Sequence, residues 1–158
     1  MNARRSKRVD IVSDTHGTLS PELLSQLKGA DLIVCAGDMT SVEDYDRLCC
    51  IAPVHAVLGN NDYFFDYGPS VSRLATFEYE GLSFAVAHYR EDLAKIDADV
   101  KVFGHTHVPV SQRVGETVWV NPGSPTFPRS EVGPSFARAL VVPGEVQSVE
   151  LVRLSARR

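Results

Sequence analysis

Short apolar runs that end in glycine and polar residues recur along the first third of the chain. They lie within residues 7–13, 31–35 and 54–58. Runs of this length, bounded by turn residues, are typical of strands, and an uninterrupted run indicates a strand that is covered on both faces. The pattern therefore predicts three strands at the start of the fold.

Two helices are predicted between these strands. Residues 21–28 can form the first, because Ser20 suits the N-cap and Pro21 suits the first helical position. Residues 42–50 can form the second, with Ser41 as its N-cap and acidic residues near its positive end. This alternating order is typical of doubly wound α/β proteins, in which ligands bind outside the carboxyl ends of the strands.

Strand patterns separated by turn residues dominate the rest of the chain. The predicted strands cover residues 71–79, 82–88, 100–103, 108–114, 117–120, 136–142 and 146–154. A short helix is predicted at residues 91–96. No linker or internal repeat interrupts the pattern, so we expect residues 1–158 to form one domain of two packed mixed sheets with helices outside.

The composition argues against several classes of protein. A net charge of -4 provides no general attraction for nucleic acid or an anionic membrane, and no apolar run approaches the roughly 20 residues that span a bilayer. Three cysteines, Cys35, Cys49 and Cys50, do not form a disulfide framework and favour a reducing, cytoplasmic location. We expect all three to be small buried residues.

Ten polar residues follow directly after predicted strands. They are Asp14, His16, Asp38, Asn60, Asp62, His88, His105, His107, Asn121 and Ser124. Residues two apart in an extended segment share a side, so Asp14 and His16 can reach one ion. Four of the five histidines belong to this set, which favours a metal site over core packing. The fifth, His55, lies within a predicted strand and is expected to be structural.

Mixed imidazole and carboxylate ligands suit borderline divalent ions. Manganese, iron, cobalt, nickel and zinc fit this set, whereas magnesium is less suited because it prefers oxygen ligands. Two ions held close together need a bridging carboxylate, and Asp38 is the natural candidate. A water molecule between ions about 3.5–4 Å apart is acidified to hydroxide and can attack a bound phosphorus in line. The pattern therefore predicts hydrolysis of a phosphoester.

Five short motifs occur in order along the chain. They are Asp14-Thr15-His16, Gly37-Asp38, Gly59-Asn60-Asn61-Asp62, Ala87-His88 and Gly104-His105-Thr106-His107. Together they resemble the motifs of the calcineurin-like metallophosphoesterase superfamily. The short length, the third motif and the loop 121–124 resemble its small bacterial and archaeal phosphodiesterase family. The resemblance covers about residues 8–154 and implies a four-layer α/β/β/α sandwich of two mixed sheets flanked by helices.

The resemblance also implies a role for each motif residue. The first ion would be held by Asp14, His16 and His107, with Asp38 as the bridge. The second ion would be completed by Asn60, His88 and His105. Catalysis would depend on Asp38, Asn60, Asp62 and His88. Asp62 would orient the ligands without touching the ions, and the loop 121–124 would brace the site. Manganese is the expected metal.

Three residues beside the motifs are candidates for substrate binding. Asn61 stands where many superfamily members carry a histidine that protonates the leaving oxygen, so leaving groups that need no protonation are favoured. Tyr89 stands where relatives often carry glycine, and it either narrows the pocket or offers its hydroxyl to the substrate. Arg90 either pairs with a substrate phosphate or is a solvated surface charge.

An aromatic cluster follows the third motif. It consists of Tyr63, Phe64, Phe65 and Tyr67. The cluster forms either a wall for a nucleobase or aryl group or part of the core between the sheets, and core packing is favoured.

Several functions are compatible with the fold, and a two-metal phosphodiesterase acting on a small phosphodiester is favoured. A phosphomonoesterase or phosphoprotein phosphatase is disfavoured by Asn61 and the short loops. A non-catalytic interaction scaffold is disfavoured by the complete ligand set, and a nuclease by the negative net charge. No membrane or nucleic-acid partner is expected, and assembly into a homo-oligomer stays open.

Overall fold

Two five-stranded sheets form the frame of the protein in a computed structural model that describes residues 6–155. Along the chain the elements are β1 (Lys7–Val12), α1 (Pro21–Leu27), β2 (Leu32–Cys35), α2 (Val42–Cys49), β3 (Val54–Ala56), β4 (Leu74–Tyr79), β5 (Leu82–Ala87), a 3-10 helix (Arg90–Leu93), β6 (Val100–Val102), β7 (Val110–Val114), β8 (Thr117–Asn121), β9 (Ser135–Val142) and β10 (Glu145–Arg153). Both predicted caps form: Ser20 Oγ accepts from Leu23 N and Ser41 Oγ from Asp44 N, each at 3.1 Å.

Both sheets are mixed, as the sequence predicted. The first has the order β10-β9-β1-β2-β3, with β1, β2 and β3 parallel and β9 antiparallel to β1. The second has the order β4-β5-β6-β8-β7, with β5, β6 and β8 parallel. Their facing sides share one apolar core, in which Ile11 and Val34 of the first sheet are clustered with Phe84 and Val102 of the second.

The outer layers differ in their helix content. Leu23, Leu27 and Leu48 of the two α-helices pack against the outer face of the first sheet. The outer face of the second sheet is covered by Leu93 and its neighbours. The predicted helix at residues 91–96 is instead a single 3-10 turn, because Ala94 N and Ile96 N donate to carbonyls three residues back, at 3.3 and 3.2 Å, and not four residues back as in an α-helix. The predicted α/β sandwich is confirmed, and its fourth layer is this turn.

Several strands are shorter than the sequence predicted. The strand at 54–58 ends at Ala56, because Leu58 N turns away to donate to Ser72 O at 2.8 Å. The strand at 108–114 begins at Val110, after Pro109, which lacks the N–H that a strand ladder needs. Among residues 6–155, none of the helices combines the length and apolar character needed to cross a membrane.

The cysteines do not share one environment. Cys35 is buried in β2, whereas Cys49 and Cys50 are exposed. The expectation of three buried cysteines is therefore wrong for two of them. Helix α2 buries the face that carries Leu48, and successive helical positions point away from that face.

The aromatic cluster is also divided. Phe65 and Tyr67 pack with the core beneath the first sheet, but Tyr63 and Phe64 are 80% and 88% exposed. Core packing is therefore the wrong interpretation for these two residues. They occupy the tip of a turn that is closed by a 3.0 Å hydrogen bond from Phe65 N to Asp62 O, so their side chains project outward.

Candidate metal centre

The loops that carry the candidate ligands have an unusual backbone. Asp14, His16, Asp38, His105 and His107 have φ angles of 57°, 48°, 57°, 72° and 60°. Residues other than glycine adopt this left-handed conformation at a cost of about 1–3 kcal/mol each, and they cluster at functional sites. Five such residues at one edge of the fold mark this edge as a site whose geometry the surrounding structure enforces.

Backbone hydrogen bonds hold the loops after β1 and β2 side by side. Asp14 N donates to Gly37 O at 2.9 Å, and His16 N donates to Asp38 O at 3.0 Å. The carboxyl ends of adjacent parallel strands meet here, as the doubly wound pattern predicted.

Close glycine contacts allow a third loop to join them. A Cβ atom on Gly37, whose φ is +99°, would lie 2.7 Å from Gly59 N and 2.9 Å from His88 Nδ1. Only a glycine leaves room for the loops after β2, β3 and β5 to converge beneath Asp38.

The first group of ligand atoms consists of Asp14, His16 and His107. Asp14 Oδ1 lies 3.3 Å from His107 Nε2 and 3.8 Å from His16 Nε2, and the two nitrogens are 3.4 Å apart. Ligands about 2.1 Å from a shared ion lie roughly 3.0–3.4 Å from one another. The three atoms therefore surround a space of the size that one divalent ion fills.

The second group consists of Asp14, Asp38 and His88. His88 Nε2 lies 3.4 Å from Asp38 Oδ2 and 3.8 Å from Asp14 Oδ1. Asp38 Oδ2 also lies 3.7 Å from His16 Nε2. The two groups are thus adjacent: they share Asp14, and the Asp38 carboxylate faces a histidine of each.

Two buried atoms at the centre lack the partners that a folded protein normally provides. Among residues 6–155, Asp14 Oδ1 and His88 Nε2 are buried without a hydrogen-bond partner. Leaving such atoms unpaired costs about 1–3 kcal/mol each. A carboxylate oxygen and an imidazole nitrogen that face one space are donors for a cation, so the residues present fit a metal ion.

The histidines are oriented from behind. His88 Nδ1 lies 2.7 Å from Ala36 O, and His107 Nδ1 lies 2.6 Å from Phe127 O. A carbonyl oxygen only accepts hydrogen bonds, so each Nδ1 carries the hydrogen and each Nε2 carries a lone pair. This is the tautomer that a metal ligand needs.

The surroundings favour an ionised Asp38. Burial opposes ionisation, but the neighbouring His88 imidazole and hydrogen bonds from Asn61 outweigh it and hold the pKa of Asp38 well below its usual range. Asn61 donates from its backbone N to Oδ1 and from Nδ2 to Oδ2, each at 2.9 Å. The Asn61 amide, a predicted substrate contact, is therefore engaged with Asp38.

The two buried histidines bind protons more tightly than usual. Burial lowers the pKa of His88, but the Asp38 and Asp14 carboxylates raise it by more, so the pKa lies above its usual value. The pKa of His107 is raised chiefly by the adjacent Asp14 carboxylate, against burial and the charge of Arg129. A cation must displace these protons to bind.

Asp62 supports the site from beneath. Its buried carboxylate accepts hydrogen bonds from Asp38 N and Gly59 N at 2.7 Å, from Thr40 N at 2.9 Å and from Tyr67 Oη at 2.7 Å. These bonds join the loops after β2 and β3. Asp62 therefore positions Asp38 and does not face the pocket itself.

The loop 121–124 is bonded to the first ligand loop. Ser124 Oγ donates to Asp14 O at 2.7 Å, and Asn121 Nδ2 donates to Gly104 O at 3.1 Å. Both residues are buried. The loop has the bracing contacts that the sequence analysis expected.

The remaining candidate ligands lie nearer to solvent. The ligand atoms open onto a pocket of about 430 Å³, lined by His16, Asp38, Asn60, Asn61, His105, His107, Phe127, Pro128 and Arg129. Asn60 and His105 are exposed, and His105 lies outside both groups of closely spaced ligand atoms. Its ring packs against Tyr89, with 4.7 Å between the centroids.

Tyr89 and Arg90 point to different places. Tyr89 lines a smaller pocket of about 130 Å³ that shares Asn60 with the first. The Arg90 guanidinium lies over the rings of Trp119 and Phe103, at 4.8 and 5.1 Å from their centroids. It covers the outer face of the second sheet and lines neither pocket.

His55 lies away from the centre. Its ring stacks on Phe77 at 3.7 Å with an angle of 8° between the planes, and burial lowers its pKa. This packing agrees with the structural role expected of it.

Sequence reasoning missed the segment Phe127-Pro128-Arg129. It lies between β8 and β9 without regular structure, so no periodicity identified it. The available signal was its position a few residues after the loop 121–124. That loop brings the chain back to the candidate ligands, so the residues that follow it lie near them. The segment forms one wall of the larger pocket.

Comparison with known proteins gives an independent assignment. A family model described as the calcineurin-like phosphoesterase superfamily domain matches residues 8–144. A protein of Methanothermobacter thermautotrophicus named "probable metallophosphoesterase" is 33% identical, over 94% of this chain and 93% of its own.

Solved structures share the same arrangement of sheets. YfcE, a phosphoesterase from E. coli, has a TM-score of 0.67 and 26% identity, covering 90% of this chain and 98% of its own. Vps29 from Entamoeba histolytica, solved in complex with Zn²⁺, has a TM-score of 0.71 and 24% identity, covering 93% and 98%. At that identity the likeness to Vps29 concerns the fold.

Proposed function

The chain belongs to the calcineurin-like phosphoesterase superfamily, and we propose that it is a two-metal phosphodiesterase acting at the centre described above. Membership confirms the resemblance found in the five motifs. The observation that carries the proposal is the pair of ligand groups that meet at Asp14 Oδ1, a buried oxygen without a hydrogen-bond partner among residues 6–155.

In this proposal the motif residues divide between two ions. Asp14, His16 and His107 hold the first, Asp38 bridges, and Asn60, His88 and His105 complete the second. The distances within the two ligand groups support the first set and the pairing of Asp38 with His88. Manganese is the proposed metal, with nickel, iron, cobalt and zinc as alternatives that suit the same donors.

Two bound divalent ions supply an acidified water molecule and neutralise the charge of a phosphoryl group. The protein's own part is positioning. Asn61 keeps the Asp38 carboxylate ionised and fixes both of its oxygens. Asp62 fixes the Asp38 backbone, and the carbonyls of Ala36 and Phe127 direct the lone pairs of His88 and His107 toward the carboxylates.

Two features favour a diester over a monoester. Asn61 cannot donate a proton to a poor leaving group at neutral pH. The smaller pocket meets the larger one at Asn60, which provides space for a substituent on a second side of the phosphorus. A small phosphodiester with a good leaving group is the proposed substrate class.

The test is a screen of metals against substrates. Purified protein receives manganese, nickel, cobalt or zinc and is offered an aryl phosphodiester, an aryl phosphomonoester and cyclic nucleotides. We expect the diester to be hydrolysed fastest with manganese. A preference of about tenfold or more for the monoester would overturn the diester assignment and favour a phosphomonoesterase or phosphoprotein phosphatase.

Asp38→Ala tests the bridge. We expect a fall in kcat of at least about 10³-fold, because the loss removes the carboxylate that faces both groups. Asp46→Ala, at an exposed position of α2, is the matched control and should retain activity. Equal activity of Asp38→Ala and the wild type would contradict the mechanism.

A protein-interaction role without catalysis is the second candidate. The exposed pair Tyr63 and Phe64, 4.7 Å apart between centroids, favours it because exposed aromatic side chains are typical of contact surfaces. Failure of the purified protein both to bind two ions and to turn over any phosphoester would favour this role.

A further inference from the structure

Among residues 6–155, Arg129 is the one arginine or lysine that lines the larger pocket. Its side chain is exposed, and the pocket that it borders also contains ligand atoms of His16, Asp38 and His107. A volume of about 430 Å³ lies within the range of small-molecule sites. A group that rests against the ligand atoms therefore shares one pocket with a guanidinium.

The backbone that carries Arg129 is fixed to the ligand His107. Phe127 O bonds His107 Nδ1 at 2.6 Å, and Arg129 N donates to His107 O at 3.3 Å. Between these two contacts lies Pro128, whose ring restricts the chain. The position of the Arg129 backbone is thus fixed by a candidate metal ligand.

The same segment is also tied to the loop after β1. Phe127 N donates to Ser124 Oγ at 2.9 Å, and Thr126 Oγ1 donates to Thr15 O at 2.8 Å. The Phe127 ring meets His16 edge-on, with centroids 5.6 Å apart. The segment is therefore held at both ligand loops of the first group.

Four other arginines among residues 6–155 are engaged with other groups. Within residues 6–155, the arginine ion pairs are formed by Arg8, Arg47 and Arg138, and Arg90 covers aromatic rings. Arg129 forms no ion pair with a carboxylate in this part of the chain. Its guanidinium is left with donors for a ligand.

We propose that Arg129 binds the substrate phosphoryl group that rests against the metal ligands, and so acts as a substrate-binding residue outside the ligand set. The assignment rests on the proposed phosphoesterase function. A guanidinium presents parallel N–H donors that match two oxygens of a phosphoryl group. Those oxygens are the ones directed away from the ions, toward the wall formed by residues 127–129.

The first test compares Arg129→Ala and Arg129→Lys with the wild type on a singly charged aryl phosphodiester with manganese. We expect Ala to lower kcat/KM by about 10- to 100-fold, the effect of losing a charge-assisted hydrogen bond. Lys should restore only part of this loss, because it keeps the charge but lacks the planar fork. Arg113→Ala, at an exposed position of β7, is the control and should match the wild type.

The second test needs no turnover. Binding of inorganic phosphate to the manganese-loaded protein is measured by calorimetry, with the bound manganese counted in each variant. We expect Arg129→Ala to bind phosphate at least about tenfold more weakly at unchanged manganese content. Equal phosphate affinity and equal kcat/KM in Arg129→Ala and the wild type would overturn the inference.

The outcomes separate this inference from the proposed function. Wild-type protein that binds phosphate through Arg129 but hydrolyses no ester would refute the function and retain the phosphate site. Diester hydrolysis that is unchanged in Arg129→Ala would support the proposed function and refute the role of Arg129. A loss confined to substrates with a second anionic group would also overturn the assignment, since Arg129 would then hold that group instead.

Discussion

The carboxylate of Asp14 is bonded on one side only. Oδ2 accepts hydrogen bonds from Ser13 Oγ at 2.7 Å and from His105 N at 3.1 Å, whereas Oδ1 faces the imidazoles of both ligand groups without a partner among residues 6–155. The bonded oxygen prevents the side chain from turning away. The sequence analysis gave Asp38 the shared position, and the geometry adds Asp14 as a second carboxylate between the two groups.

The histidine outside the centre permits a prediction about pH. Burial lowers the pKa of His55 below its ordinary value of about 6.5. As the pH falls, the unfolded chain is therefore protonated at His55 at a higher pH than the folded protein. The contribution to stability is complete above pH 6.5 and is lost as the pH falls toward the lowered folded-state value. His55→Phe should remove this loss while keeping the stack on Phe77.

Urea unfolding of both proteins at pH 7.5 and pH 5.5 checks this prediction. We expect the wild type to lose more stability between the two values than His55→Phe. The comparison isolates one group, because His88 and His107, whose pKa values are raised, contribute equally to both proteins. An identical change in the two midpoints would contradict the expected role of His55.

At the scale of the elements, the strand ends and the loops between them determine the site. Asp62 joins the loops after β2 and β3 through bonds to Asp38 N and Gly59 N. These loops are so close that a Cβ atom on Gly59 would overlap Asp38 Oδ1 and lie 2.5 Å from Asp38 N. The position of Asp38 therefore depends on a glycine in a neighbouring loop.

Gly59→Ala tests this dependence. The methyl group should displace the Asp38 carboxylate, reduce manganese binding by at least about tenfold and destabilise the protein by about 1–3 kcal/mol. Gly115→Ala is the control, because its Cβ would meet open space although φ is +60°. It should cost about 1 kcal/mol and leave manganese binding unchanged, as measured by calorimetry and chemical unfolding. Unchanged manganese affinity in Gly59→Ala would refute the prediction.

At the scale of the whole molecule, the two sheets supply the candidate ligands together. Asp14, His16 and Asp38 follow strands of the first sheet, and His88 and His107 follow strands of the second. Each ligand group contains a member from both sheets. A bound ion would therefore connect the two halves of the fold.

Metal removal should consequently lower the thermal stability. Manganese at about 100 times its dissociation constant stabilises the folded state by roughly 2.7 kcal/mol per site, so we expect Tm to rise on addition and to fall with a chelator. Asp14→Asn, which removes the charge shared by both groups, should lose most of this response. Calorimetric scans with and without manganese check it, and an equal rise in Tm for the variant would contradict the prediction that the Asp14 charge holds manganese.

Much of this architecture could be predicted from sequence because it depends on local patterns. The apolar runs placed the strands, Ser20 and Ser41 placed the helix caps, and the parallel strands brought their polar carboxyl ends to one edge. The exposure of Tyr63 and Phe64 depends on a turn. The position of Arg129 depends on its bonds to His107, which is distant in the sequence. These features arise from tertiary contacts that no periodicity encodes.

The hydrogen bond between His88 and Ala36 connects the metal centre to the packing of the two sheets. It joins a loop of the second sheet to the end of β2 in the first. The orientation of the His88 imidazole therefore depends on how the two sheets are aligned. We expect substitutions in the core that the two sheets share, to which Phe84 and Val34 belong, to shift that alignment without touching a ligand. We therefore expect a change in core packing to alter the metal preference even when every candidate ligand is kept.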